Sequence, residues 1–176
     1  TQQLIKNNVT KVSRNNLKTK IQEQYLAIKF EKELINQYGS KKSAKDHILE
    51  VYLNTIYLYH GLNGVKTAAA YYFDKDVSQL TIAECATLAA ITKSPTYYAP
   101  DKNPDHNKLR KDTILKKMLS LKYISQIEYE EAKAEDVYSK ISQTKKSKSE
   151  GKSFHSYFVD KLIKDVTNDL QKRNNL

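Results

Sequence analysis

Apolar residues recur at helical spacing along most of this chain, and that periodicity limits its possible folds more than any other feature. The 176 residues contain only 4 glycines and 3 prolines, and no segment sustains the two-residue alternation of a strand. The sequence therefore predicts an all-α fold. We predict helices over residues 17–38, 43–56, 65–73, 81–91, 107–121 and 125–134, with a proline-rich loop over 94–104.

Local residue patterns predict where these helices begin and end, and which sides they bury. Thr81 with Glu84, and Ser125 with Glu128, have the spacing of a capping box, while Ser43 is the expected cap of the second helix. Gly39 is expected to end the first long helix. Apolar spacing predicts two stripes, Ile21, Tyr25, Ile28 and Leu34 on the first long helix, and Ile48, Leu49, Tyr52, Leu53 and Ile56 on the second. The only cysteine, Cys85, lies in an apolar stretch and is expected in the core.

Net charge is +10, and the basic excess is greatest near the start of the chain. Residues 1–42 hold nine Lys and Arg against three acidic residues. Such a balance favours anionic partners, whether a phosphorylated lipid, an acidic membrane surface or nucleic acid, and it is also typical of a solvated helix face. Charge alone leaves these alternatives open.

Several functional classes have no motif in this sequence. No apolar run approaches the ~20 residues that span a membrane, and no phosphate-binding loop, dinucleotide fingerprint or nucleophile elbow is present. The histidines stand far apart, without the spacing of metal ligands, so no protein metal site is predicted.

Three stretches carry a resemblance to a known family. The first is Thr1-Gln2-Gln3-Leu4-Ile5-Lys6-Asn7, the second is Lys20-Ile21-Gln22-Glu23 followed by Ala27 and Glu31, and the third is Ile48-Leu49-Glu50-Val51-Tyr52-Leu53-Asn54. Leu80-Thr81-Ile82-Ala83-Glu84 with Pro95, Tyr98 and Pro100 extends the pattern. In this order and spacing, the chain resembles the peptidoglycan glycosyltransferase domain, glycosyltransferase family 51, of class A penicillin-binding proteins.

The resemblance implies a lysozyme-like glycosyltransferase domain that is incomplete at its N-terminus. Residues 1–138 are expected to form the C-terminal part of that domain. Residues 139–153 are rich in Lys and Ser and are expected to be a linker. Residues 154–176, where Phe158, Leu162, Val166 and Leu170 repeat at helical spacing, are expected to lead towards a transpeptidase domain.

The chemistry that the resemblance implies is polymerisation of glycan strands from lipid II. In this family the 4-hydroxyl of lipid II attacks the anomeric carbon of the growing chain with inversion, and a lipid pyrophosphate departs. The proton is taken by a glutamate in a motif upstream of Thr1, so we expect the 176-residue chain alone to be inactive. Glu23 matches the second essential glutamate of the family. By the same resemblance, the substrate is bound by Gln2, Gln3, Lys6, Arg14, Lys18, Lys20 and Asn54.

The residue types agree with that assignment. Lysine supplies a compact positive charge and arginine a fork that can clamp phosphate oxygens. Glu23 follows Lys20 by three positions, which places both on one helix face. An ordinary surface ion pair would show the same spacing. The family usually has Arg-Lys where this chain has Thr19-Lys20. Two outcomes are open: either a phosphate contact is weakened, or Lys18 supplies the charge as a point rather than a fork.

Partners and location follow from the resemblance too. We expect lipid II, the nascent glycan chain and the membrane surface as partners, and no nucleic acid. If a divalent cation takes part, we expect Mg or Mn. The expected location is the outer face of the bacterial cytoplasmic membrane. The alternative function is a non-catalytic basic module that binds anionic lipid or nucleic acid.

Overall fold

A computed structural model of the chain describes residues 1–10 and 17–141, without the side chains of residues 9 and 10. Regular structure in this part of the chain is helical, which confirms the all-α prediction. The α-helices are α1 (Gln2–Ile5), α2 (Leu17–Tyr38), α3 (Lys41–Thr55), α4 (Val65–Phe73), α5 (Ile82–Ile91), α6 (Pro104–Ser120) and α7 (Gln126–Ala134). A π-helical turn, Lys6–Thr10, follows α1, and a short 3-10 helix, Val77–Gln79, precedes α5.

The chain divides into two compact units, Thr1–Ile56 and Tyr57–Leu176. In the first unit α1, α2 and α3 pack against one another. Its core consists of Leu4, Leu34, Ala44 and Ile48, with Phe30, Ile35, Val51 and Tyr52 partly buried around it. The first unit thus holds the residues of the three motifs in one helical cluster.

The second unit is built around α5, which packs against α4, α6 and α7. α5 is buried along most of its length, and its ten residues are mainly small and apolar. Two capping boxes, Thr81 with Glu84 and Ser125 with Glu128, start α5 and α7 as the sequence predicted. The loop over 94–104 is also confirmed, although α6 begins at Pro104, three residues earlier than predicted.

The predicted faces of α2 and α3 are wrong in part. Ile21, Tyr25 and Ile28 are more than half exposed, and the buried residues of α2 are Glu23, Ala27 and Leu34. This side of α2 is buried because the neighbouring helices α1 and α3 pack against it. On α3, Ile48 and the following Ile56 are buried as predicted, but Leu49 and Leu53 are exposed.

The cap of α3, the end of α2 and the position of Cys85 were each predicted from the local sequence. α3 is capped by Ser40, whose hydroxyl accepts from the Ser43 amide, so the cap lies three residues before the predicted one. Gly39 ends α2 with a φ of 72°, as expected. Cys85 is exposed and not a core residue. Partial burial, with the nearby Glu84 charge, raises the pKa of its thiol, which disfavours the nucleophilic thiolate.

Residues 137–141 are helical, and Val137 and Ile141 are fully buried. This helix enters the stretch predicted as a linker, residues 139–153. The rest of that stretch and the predicted C-terminal segment, residues 154–176, lie outside the described residues. No helix in the described part of the chain combines the length and apolarity that a membrane crossing requires.

Candidate active site

Gln2 and Glu23 come together in the first unit. Gln2 lies in the first turn of α1, and Glu23 lies in the second turn of α2. The Nε2 of Gln2 donates to Oε2 of Glu23 over 3.4 Å. The packing of α1 against α2 therefore joins one residue from the first motif to one from the second.

Glu23 is the most buried acidic residue of this unit, with 4 % of its surface exposed. A buried carboxylate costs free energy unless polar partners compensate for its lost hydration. Lys20, its predicted neighbour on the helix face, is exposed. Glu23 therefore differs from one half of an ordinary surface ion pair, in which both side chains would be solvated.

The next residue, Gln3, is held by a different helix. The hydroxyl of Tyr52, on α3, donates to Oε1 of Gln3 over 3.1 Å. Burial raises the pKa of Tyr52, so this phenol stays protonated and keeps its donor role well above neutral pH. Tyr52 belongs both to the third motif and to the apolar stripe predicted for this helix. In the structure it positions Gln3.

A groove of about 450 Å³ runs beside these contacts. It is lined by Thr1, Gln2, Gln3, Leu4, Lys45, Ile48, Leu49 and Tyr52. One wall is therefore the start of α1, which presents both glutamines, and the other is the exposed side of α3. The groove combines amide groups that can hydrogen-bond a sugar or phosphate with an apolar wall.

Glu31 and Lys45 add charged groups at this end of the unit. The Thr1 hydroxyl donates to Oε2 of Glu31 over 3.2 Å, and Nζ of Lys45 lies 3.6 Å from Oε1 of the same carboxylate. Glu31 is part of the second motif, whereas Lys45 belongs to none of the motifs and was not predicted as a site residue. Lys45 reaches Glu31 because α3 packs against α2, and this packing cannot be predicted from the residues close to Lys45 in the sequence.

Lys18 and Lys20 lie exposed in the first turn of α2, which contains no acidic residue. Two lysine charges without an acidic neighbour in that turn give this part of the surface a positive potential. Lys6 is exposed directly after α1. Arg14 lies outside the described residues, so its position relative to these lysines stays a prediction.

The structure does not bring Asn54 into this cluster. Asn54 is exposed in the last turn of α3, and its side chain makes no hydrogen bond within the described part of the chain. Tyr52, two positions earlier, is the residue of that motif that reaches α1. A role for Asn54 in substrate binding stays a prediction.

Comparison with known proteins gives the same family as the motifs. Residues 1–119 match the family described as Transglycosylase. Penicillin-binding protein 1A of Clostridium botulinum (strain Langeland) is 38% identical over 176 residues, covering 97% of this chain and 20% of that protein. Penicillin-binding protein 1F of Bacillus subtilis (strain 168) is 39% identical over 166 residues, covering 94% of this chain and 21% of that protein.

A solved structure agrees with these relatives. The crystal structure of penicillin-binding protein 1A from Haemophilus influenzae superposes with a TM-score of 0.51 at 39% identity, over 52% of this chain and 14% of that one. The chain belongs to the transglycosylase family, the peptidoglycan glycosyltransferases found in penicillin-binding proteins. It spans about a fifth of the length of the relatives described above.

Proposed function

We propose that this chain is the part of a peptidoglycan glycosyltransferase that holds the lipid pyrophosphate of the donor during glycan polymerisation. The observation that carries the proposal is the contact between Gln2 and buried Glu23, two family-motif residues separated by 21 positions and joined by the packing of α1 on α2. The membership of residues 1–119 in the transglycosylase family supports the same reading.

The proposed reaction joins two sugars and releases a lipid pyrophosphate. The 4-hydroxyl oxygen of lipid II forms a bond to the anomeric carbon of the growing strand, and the bond from that carbon to the pyrophosphate oxygen breaks. The hydroxyl proton passes to a general base outside this chain, and the electron pair of the broken bond leaves with the pyrophosphate. The developing negative charge has to be stabilised by cations and donors that are already in place.

Within this chain, the exposed lysines and the buried glutamate have different proposed tasks. Lys6, Lys18 and Lys20 attract and neutralise the pyrophosphate oxygens, with Arg14 as a fourth cation by family pattern. Gln2 and Gln3 donate amide hydrogens to the substrate in the groove. Glu23 is a positioning group, because it holds the Gln2 amide in place and its burial fixes its own orientation.

A divalent cation fits this scheme only if the substrate phosphates supply several of its ligands. No group of three or more His, Cys, Asp or Glu side chains that could hold a metal occurs within residues 1–10 and 17–141. Mg²⁺ commonly takes one or two protein carboxylates and completes its shell with phosphate oxygens and water. Glu23 could be that single carboxylate for Mg or Mn, and the ion would neutralise charge on the pyrophosphate.

The proposed location follows from the substrate. Lipid II is a membrane-bound molecule, so the enzyme would act at the outer face of the bacterial cytoplasmic membrane, with the nascent glycan chain as its second partner. The excess of basic residues over residues 1–42 suits an anionic surface. We propose further that the 176-residue chain alone makes no glycan, because the family motif that holds the base does not occur in its sequence.

The experiment is polymerisation of labelled lipid II by the full-length protein that contains this chain, with products separated by length on a gel. The proposal predicts a ladder of glycan strands from the full-length protein and none from the 176-residue chain. Absence of strands from an intact, folded full-length protein that binds nucleic acid or anionic vesicles would instead favour the non-catalytic basic module.

A further inference from the structure

A small cationic cleft lies in the second unit, on a part of the chain that the proposed reaction does not use. Its volume is about 200 Å³. It is lined by Lys93, Tyr97, Tyr98, His106, Leu109, Arg110 and Thr113. Lys93 and Arg110 bring two positive charges, and no acidic side chain lines the cleft. The residues that line the cleft therefore carry a net positive charge.

Aromatic packing fixes the shape of the cleft. The Tyr97 ring stacks on His106 with centroids 4.2 Å apart and planes 11° from parallel. Tyr98 meets Tyr97 edge to face at 4.9 Å, and Nζ of Lys93 lies 5.7 Å from the Tyr98 ring centroid. Because these rings hold one another, the imidazole is positioned before any ligand arrives, and the exposed Lys93 lies at the edge of the cleft. Preorganisation of this kind lowers the entropy that a ligand has to lose on binding.

Two nitrogen atoms in the cleft residues are unsatisfied. Nδ1 of His106 and Nε of Arg110 are buried atoms with no hydrogen-bond partner in the described part of the chain. Most buried polar groups in proteins are paired, so two such nitrogens one helical turn apart need an explanation. His106 and Arg110 as whole side chains are only half-buried, so the rest of each stays accessible from the cleft. A bound anion would give both residues a partner.

We propose that this cleft binds a phosphate group, carried either by a lipid headgroup or by a soluble phosphate compound. Arg110 supplies a guanidinium fork, Lys93 a point charge, and the Thr113 hydroxyl a further donor at the rim. That hydroxyl bonds to the Leu109 carbonyl over 2.9 Å in the structure and would turn to the ligand. The cleft, at about 200 Å³, is large enough for one phosphate or pyrophosphate group. This site is independent of the proposed function, because none of its residues belongs to the first unit.

The test is a titration of the 176-residue chain with inorganic pyrophosphate, followed by NMR of the Arg110 side-chain Nε–H and the His106 imidazole. These two signals report on the cleft alone, so phosphate bound by the lysines of the first unit does not contribute. The proposal predicts saturable shifts of both signals. Arg110→Gln, followed through the His106 signal, should weaken that binding by about tenfold, because it removes a charge-assisted contact. Lys108→Gln removes the same charge from an exposed position on α6 and should leave binding within about twofold.

A second arm separates the two sources of phosphate. Vesicles containing phosphatidylglycerol and vesicles of phosphatidylcholine alone are mixed with wild type, Arg110→Gln and Lys108→Gln. Shifts with pyrophosphate but no Arg110-dependent vesicle binding would assign a soluble ligand, and Arg110-dependent binding to the anionic vesicles would assign a lipid headgroup. If Arg110→Gln loses its helical circular dichroism signal, Lys93→Gln replaces it in both the pyrophosphate titration and the vesicle experiment. Unshifted signals, or equal losses in the Arg110 and Lys108 variants, would overturn the proposal.

Discussion

The side chains of Gln2 and Glu23 meet at 3.4 Å, although 21 positions separate them in the sequence. Glu23 is almost fully buried there, and Tyr52 holds the adjacent Gln3 from the other side. Three family motifs on three helices are thus linked side chain to side chain within the first unit. The Gln2 amide thereby compensates for part of the hydration that the buried Glu23 carboxylate has lost.

Replacing Gln2 with leucine should destabilise the first unit. The variant removes one donor from a buried carboxylate, and a hydrogen bond of this kind contributes about 1 kcal/mol to the free energy of unfolding. Urea unfolding followed by circular dichroism measures the loss. Gln22→Leu is the matched control, because Gln22 precedes Glu23 on α2 but is exposed. Equal destabilisation by both variants would show that the contact with Glu23 contributes nothing.

The two capping boxes provide a matched pair for the second unit. Glu84 and Glu128 occupy the same position in their helices, but Glu84 is fully buried and bonds Lys75 through both carboxylate oxygens at 2.8 and 2.9 Å. Glu84→Gln should lower the free energy of unfolding by about 2–3 kcal/mol, less than for a wholly buried pair because Lys75 is one-third exposed. Glu128→Gln, at an exposed site, should cost much less. The reverse order in thermal or urea unfolding would contradict the assigned role of Glu84.

Alkaline pH should destabilise the second unit through Tyr138. Burial raises the pKa of this phenol, whose hydroxyl donates to Oδ1 of Asn107 over 2.8 Å. An unfolded tyrosine ionises near pH 10, so the unfolded state loses its proton first. The stability contribution is therefore fully present below about pH 10 and is lost as pH rises towards the folded pKa. Free energies of unfolding measured between pH 8 and 11 should fall less steeply in Tyr138→Phe.

Tyr123→Phe is the control for that pH profile, because Tyr123 is 75 % exposed. Its slope should match that of the wild type. If removal of the Tyr138 hydroxyl leaves the alkaline slope unchanged, the buried phenol does not determine it, and lysine titration becomes the better explanation.

Local chemistry made much of the helical layout predictable. Thr81 with Glu84 and Ser125 with Glu128 marked two helix starts, because a capping box satisfies backbone donors within four residues of sequence. Ser43 was the wrong cap for α3, since Ser40 has the same chemistry and only the chain direction after Gly39 selects it. Short-range hydrogen bonding therefore predicted that a helix starts in this region, but not at which serine.

Buried faces were less predictable. Ile21, Tyr25 and Ile28 have the spacing of a core stripe, yet α2 turns Glu23, Ala27 and Leu34 towards α1 and α3. Periodicity identifies a helix but cannot say which neighbours it meets. The pairing of Gln2 with Glu23 has the same origin, because only the packing of α1 on α2 brings them together. The family motifs identify Gln2 and Glu23 as candidate site residues, but only the structure shows that their side chains are in contact.

Lipid II polymerisation by the full-length protein with Glu23→Gln tests whether the buried carboxylate is required for strand formation. The substitution keeps the size of the side chain but removes the buried charge that we propose positions Gln2 and the donor pyrophosphate. Glu33→Gln is the control, as Glu33 lies exposed on the same helix. We predict that Glu23→Gln slows strand formation by about 100-fold or more while the protein stays folded, with Glu33→Gln near wild type. Near-normal polymerisation by a folded Glu23→Gln protein would contradict the central claim.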